Sequence, residues 1–230
     1  MTTDPQDPRF HGRRRGKKLR NRAQGLITDL LPRLAIPEPG PDDRLDPFTL
    51  FAQRPRAVWL EVGFGGGEHL AAQAAAHPDT GVIGCEVFLN GIARLLVHVD
   101  ELALENVRIF PEDARRLLPA LPEASLEKAF VMFPDPWPKT RHSARRFIHP
   151  ETLDVLGRLL IDQGELRVAS DDPTYIDWML TVLGAHPLFE GGVVSAGPRP
   201  EGWPGTRYEA KAHREGRPPT WTSWRRVGRS

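Results

Sequence analysis

From Ala57 onward, short apolar runs alternate with amphipathic segments along the chain. The runs Ala57–Val62, Gly81–Glu86, Val107–Phe110, Lys128–Phe133 and Glu165–Ser170 read as buried strands. The intervening segments Glu68–Ala76, Leu89–Leu104, Asp113–Leu118 and Pro150–Ile161 read as helices. In Leu89–Leu104 a helical period puts Ile92, Leu95, Leu96, Val99 and Leu102 on one face. Asp172-Pro173 has the form of an N-cap followed by the first residue of a helix, Thr174–Leu183. Strands alternating with helices predict a parallel sheet. Leu188–Val194 and Tyr208–Trp224 are expected to add a final hairpin. Upstream, Ala23–Leu34 reads as a short helix whose apolar face is Leu26, Ile27, Leu30 and Leu31, and Ile36–Pro47 as a Pro/Asp/Gly linker. The expected division is a basic arm (1–22), a helix and linker (23–56) and an α/β domain (57–230).

Composition adds little to that picture, but charge placement adds much. The chain has 230 residues, 40% of them apolar and 27% charged, as in a soluble domain with one sizeable core. No apolar run is long enough to span a membrane, and the basic N-terminus lacks the apolar stretch of a secretory signal. The single cysteine, Cys85, excludes an internal disulfide and a cysteine-based zinc cluster, and a reducing cytoplasm is the simplest compartment. The eight histidines pair with no Cys or acid cluster at ligand spacing, so no metal site is expected. Net charge is only +1, yet Arg9–Arg22 holds eight Lys/Arg and no acid, Lys139–Arg146 holds four, and Arg207–Arg229 holds seven against Glu209 and Glu215. The remainder is strongly acidic. Such separation favours a polyanionic partner. A flexible arm over residues 1–22 would then either order on nucleic-acid phosphates or act as a solubilising tail.

The candidate chemistry gathers at strand ends. Gly63-Phe64-Gly65-Gly66-Gly67 follows the first strand, where a glycine-rich turn lets backbone approach a nucleotide-like ligand. Glu86 ends the second strand 23 residues past Gly63, a spacing that suits a carboxylate receiving a ribose diol. A dinucleotide fingerprint wants glycine at position 68, where this chain has Glu68. S-adenosylmethionine, with no pyrophosphate to cradle, therefore fits better than a nicotinamide cofactor. Glu61, just before the turn, is placed either to meet the methionine ammonium or to form a buried salt bridge. Asp113 follows the third strand as an acceptor for an adenine amino group, as a helix N-cap, or as both. Asp171 ends the fifth strand, and its neighbour Asp172 is the better cap.

The most unusual stretch is Pro134-Asp135-Pro136-Trp137-Pro138, between the apolar run Ala129–Phe133 and the basic run Lys139–Arg146. Phe133 and Asp135 each precede a proline, which favours extended geometry and ends the strand. Asp135 is then a stiffly held carboxylate where open α/β sheets place ligands. Trp137 is read either as a base-stacking side chain or as one packed on the core.

Leu60-Glu61-Val62-Gly63-Phe64-Gly65-Gly66-Gly67-Glu68-His69-Leu70 resembles the cofactor motif of bacterial tRNA (guanine-N7)-methyltransferases. Phe133–Arg146, FPDPWPKTRHSARR, is similar to that family's signature, and Ala169-Ser170-Asp171 and Thr206-Arg207-Tyr208-Glu209 resemble its remaining substrate motifs. The resemblance implies a Rossmann-like class I methyltransferase fold. It is a mostly parallel seven-stranded sheet with helices on both faces and a C-terminal antiparallel hairpin. It further implies S-adenosylmethionine as cofactor, bound by Glu61, Gly63, Gly65, Glu86, Asp113 and Asp135. Asp135 would sit at the cofactor–guanine junction as the catalytic residue. Lys139, Asp171, Thr206, Arg207, Tyr208 and Glu209 would contact tRNA, whose target is a variable-loop guanosine. A monomer or homodimer with no partner subunit is implied. Ala144 stands where the family often has a basic residue, and Ser170 replaces a common threonine. The competing readings are an NAD-dependent dehydrogenase, a methyltransferase of another RNA, and a non-catalytic RNA-binding protein on the same scaffold.

Overall fold

In the computed structural model, which describes residues 14–229, seven strands form one sheet. They are β1 (Ala57–Val62), β2 (Thr80–Cys85), β3 (Val107–Phe110), β4 (Leu126–Met132), β5 (Leu160–Ser170), β6 (Phe189–Ala196) and β7 (Thr220–Arg226), in the order β3-β2-β1-β4-β5-β7-β6. The first five run parallel, and β7 is antiparallel to both β5 and β6. Strand order reverses between β1 and β4, each of which feeds a crossover to a different side. A crevice is left there at the carboxyl ends of the strands.

Helices α1 (Asn21–Asp29), α2 (Leu31–Leu34), α3 (Glu68–Ala76), α4 (Leu89–Glu101), α5 (Ala114–Leu117), α6 (Pro150–Leu159), α7 (Pro173–Gly184) and α8 (Arg207–Arg214) complete the architecture. Local signals explain many of their ends. Pro150 and Pro173 occupy first-turn positions, and the Asp172 carboxylate accepts from Tyr175 N at 3.0 Å. The apolar stripe of α4 (Ile92, Leu95, Leu96, Val99) packs with Leu70 and Val82. Leu26, Ile27, Leu30 and Leu31 lean on that cluster. A larger cluster on the other face joins Val58, Leu60, Val131 and Leu166 to the inner sides of α6 and α7.

Three expectations are corrected. The Ala23–Leu34 helix is two helices broken at Leu30, with Pro32 in the second. Leu102 is not on the packed face of α4: the helix ends at Glu101 and Leu102 is 53% exposed. The segment Tyr208–Trp224 is half helical. Its first part is α8, and only Thr220–Arg226 is strand, inserted between β5 and β6 rather than hairpinned tightly onto β6.

Of the 1–22 arm, residues 1–13 lie outside the described residues. The rest is tied to α4. Arg14 O accepts from Leu89 N at 2.9 Å, Gly16 N donates to Asn90 Oδ1 at 2.7 Å, and Asn90 Nδ2 returns a bond to Lys17 O at 2.7 Å. Among the described residues, no helix is long and apolar enough to cross a membrane.

Candidate active site

A cleft of about 410 Å³ opens at the β1/β4 crevice. Its walls come from the loops after four parallel strands: Val62, Gly63 and Gly65 after β1, Glu86–Phe88 after β2, Glu112–Arg115 after β3, and Phe133–Asp135 and Trp137 after β4. Tyr208, from the first turn of α8, closes the rim.

The glycine turn is shaped by close approach. Gly65 has φ 56°, and a Cβ there would lie 2.6 Å from Tyr208 Cε2. A Cβ on Gly91 of α4 would meet Gly65 O. Both contacts require the bare backbone that glycine supplies. Glu86 holds the same turn from its other side. Its Oε2 accepts from Gly65 N at 2.8 Å, and its Oε1 from Val87 N at 2.8 Å and Phe88 N at 2.9 Å. Burial raises the Glu86 pKa, and the three amide bonds oppose that rise. The carboxylate still faces the cleft.

Asp113 caps α5, accepting from Arg115 N at 3.0 Å. Both its oxygens also take Arg115, Oδ1 from Nε at 3.0 Å and Oδ2 from Nη2 at 2.7 Å. The cap and the cleft-lining position coexist.

Asp135 differs from every other acid in the cleft. No protein group donates to its carboxylate among the described residues; Asp135 is exposed at the cleft mouth, and partial desolvation by the wall behind it raises its pKa. Its backbone is held by strain on both sides: Phe133 has φ 55° and Trp137 φ 41°. Both precede prolines, and for Phe133 extended geometry was expected. The structure instead uses the left-handed region, at a cost on the order of 1–3 kcal/mol per residue. The strand ends one residue earlier than predicted, at Met132. Phe133 N nevertheless donates to Ala169 O at 2.8 Å.

The structure brings Gly63, Gly65, Glu86, Asp113, Asp135 and Tyr208 together on this cleft. Glu61 stands apart from it. Only 2% exposed, it accepts from His69 Nδ1 at 2.7 Å, and Phe130 lies edge-on to the same imidazole. His69, the second residue of α3, has no role expected from the sequence; packing against Phe130 sets it beside Glu61. Lys139 is exposed on the basic run. Asp171 is taken by Arg217, whose Nε donates at 2.8 Å. Thr206 and Glu209 cap α8 reciprocally, Thr206 Oγ1 accepting from Glu209 N at 3.0 Å. Arg199 also holds Glu209 at 2.9 Å. Arg207 lies over the Tyr208 ring, 5.0 Å from its centroid. Trp137 sits between the two earlier alternatives: it lines the cleft and carries the Arg145 guanidinium 5.0 Å from its ring centroid.

Residues 55–221 match a family model described as "Putative methyltransferase". The chain is 60% identical to a tRNA (guanine-N7)-methyltransferase of Paramagnetospirillum magneticum, over 96% of this chain and 94% of that one. A second such protein, from Rhodospirillum rubrum, is 51% identical, covering 98% and 90%. Among solved structures, the 16S rRNA methyltransferase KamB aligns with TM-score 0.55 at 15% identity, over 76% of this chain and 89% of that one. The aminoglycoside resistance methyltransferase NpmB1 aligns at 0.53 and 19%, over 75% and 88%. Those two likenesses carry the fold, that of class I methyltransferases, and the closer sequence relatives carry the family. The chain belongs to the tRNA (guanine-N7)-methyltransferase family.

Proposed function

We propose that this protein transfers a methyl group from S-adenosylmethionine to N7 of a guanosine in the variable loop of tRNA. The observation that carries the reading is Asp135: a carboxylate with no protein donor among the described residues, at the switch-point cleft, in a chain related along nearly its whole length to tRNA (guanine-N7)-methyltransferases.

The cleft fits the cofactor. Its volume lies in the range of ligand sites, about 300–1,000 Å³. A residual acceptor face on Glu86 suits two ribose hydroxyls, and Asp113 lies across the cleft for an adenine amino group. Gly63 and Gly65 admit a ligand against bare backbone. Glu61, beneath the turn and oriented by His69, contributes negative charge toward the methionine ammonium. S-adenosylmethionine supplies an electrophilic methyl on a sulfonium. Guanine N7 has a free lone pair, so the protein need not remove a proton from it. The residues act by alignment, which is worth up to about 7–11 kcal/mol, and by charge. As N7 gains the methyl, positive charge grows on the purine, and the fixed Asp135 carboxylate stabilises it. Asp135 accepts from the guanine N1–H and amino edge. Lys139, Arg207 and Tyr208 contact the RNA around the extruded base. Asp171 and Glu209 hold Arg217 and Arg199 at its edge.

The test is transfer of labelled methyl from S-adenosylmethionine to unmodified tRNA, with borohydride–aniline cleavage reporting N7-methylguanosine. Cleavage at one variable-loop guanosine is expected. Label elsewhere in the tRNA overturns the site, and no label overturns the activity.

A further inference from the structure

Arg146 ends the basic run Lys139–Arg146, yet only 5% of it is exposed. Its guanidinium faces inward. Nε donates to Pro136 O at 3.0 Å and Nη2 to Trp137 O at 3.1 Å. The same group lies 4.7 Å from the Trp178 ring centroid, and that indole is itself fixed by donating to Ile148 O at 2.6 Å. Among the described residues no carboxylate comes within ion-pairing distance of Arg146. A buried cation without an anion is costly unless its donors are used. Here Nε and Nη2 each give one bond to two consecutive carbonyls, and those carbonyls belong to the two residues that follow Asp135.

The geometry has a consequence for the Asp135 loop. Trp137 is held at φ 41°, where a bulky side chain does not stay without support. The planar guanidinium fork matches two adjacent carbonyls in a way that a lysine ammonium does not. Burial raises the pKa of the Tyr175 hydroxyl, and the Arg146 cation and the Asp135 anion act on it with opposite sign.

We propose that Arg146 is a positioning residue of the methyl-transfer reaction, and not a phosphate contact: its guanidinium fixes the Pro136 and Trp137 carbonyls and, through them, the direction of the Asp135 carboxylate. This rests on the role given to Asp135 above. The free face of the basic run is left to Lys139, Arg141 and Arg145.

The test separates chemistry from RNA binding. In Arg146→Lys, single-turnover methylation at saturating tRNA and cofactor should fall on the order of 100-fold, the effect of a displaced reacting group. The tRNA Kd and its salt dependence should stay at wild-type values. Arg146→Ala should fall further and regain rate when guanidinium ion is added at millimolar concentration, a response that a merely damaged fold does not give. A lysine variant with wild-type rate overturns the inference, as does one with weaker tRNA binding and a flatter salt dependence. If neither variant folds, arginine modification of the wild type by phenylglyoxal decides. Arg146 should resist modification with or without tRNA, while Arg141 reacts and is shielded by tRNA. Reactive Arg146 that tRNA shields overturns the inference. Wild-type protein that makes no N7-methylguanosine instead refutes the proposed function and removes the basis for Arg146.

Discussion

The titration of Asp135 should have opposite effects on stability and on rate. The wall behind its carboxyl raises its pKa, so the folded protein resists ionising it. The destabilisation is absent below the ordinary aspartate pKa and is present in full above the raised one. Asp135→Asn should therefore raise the melting temperature of the cofactor-free protein at pH 7, and the two curves should converge in acid. Activity has the opposite sign. If the carboxylate stabilises developing charge, the rate is lost as pH falls through the raised pKa, so the acid limb lies above the ordinary aspartate range. Asp135→Asn should remove that limb and cost roughly 100-fold in single-turnover rate, the scale of one lost electrostatic partner. An unchanged acid limb in the variant would assign it to another group. The place of Asp135 on the cleft was legible because two prolines and a strand end bracket it locally. A buried salt bridge was one of the two readings open for Glu61, but its partner His69 and the inward turn of Arg146 were not legible, because both are decided by packing on Phe130 and Trp178, residues distant in sequence.

At the scale of elements, α8 decides whether the rim of the cleft is in place. Its position was misread as strand because the helix is short, strongly polar and set by a capping box that the sequence shows only as Thr206-x-x-Glu209. The central strands β1 and β2 were readable because they are buried on both faces, whereas the start of β5, exposed at Ile161–Gln163, was read in part as the end of a helix. The cap delivers Tyr208 onto Gly65. Thr206→Ala should cost about 1 kcal/mol, a melting shift of roughly 2–4 °C for a chain of this size, and should also raise the cofactor Kd measured by titration calorimetry. A melting shift with unchanged Kd would show that Tyr208 is placed without the cap. Gly65→Ala acts more directly. With φ 56° and the Tyr208 ring 2.6 Å from the added carbon, it should weaken cofactor binding by at least about tenfold, one left-handed residue's worth of strain. Removing the ring with Tyr208→Ala should restore only part of that loss, because the backbone strain remains.

Across the whole molecule, the three basic segments that dominated the sequence are not equally available to an anion. Arg22 is paired with Asp100 and Glu101, Arg217 with Asp171 and Glu215, and Arg229 with Glu123 and Asp162, while Arg226 reaches Asp162 from the core. Among the described residues, Lys139, Arg141, Arg145 and Arg207 have no acidic partner, and Arg145 and Arg207 lie against Trp137 and Tyr208 at the cleft. Sequence could count charges but not subtract these pairs, since most join residues far apart in the chain. The consequence is a division of labour that salt can expose. A cation that contacts phosphate releases a counterion, and its loss lowers the slope of log K against log salt by about 1. Arg141→Gln should weaken tRNA binding and flatten the slope by that amount between 50 and 200 mM salt, roughly the range over which such contacts dominate. Arg229→Gln should leave slope and affinity at wild-type values and lower thermal stability slightly, as expected for an exposed ion-pair network. If Arg229→Gln flattens the slope as much as Arg141→Gln, the C-terminal arginines leave their acidic partners for the RNA, and the tRNA surface extends around the molecule to the α6–β5 side instead of ending at the cleft.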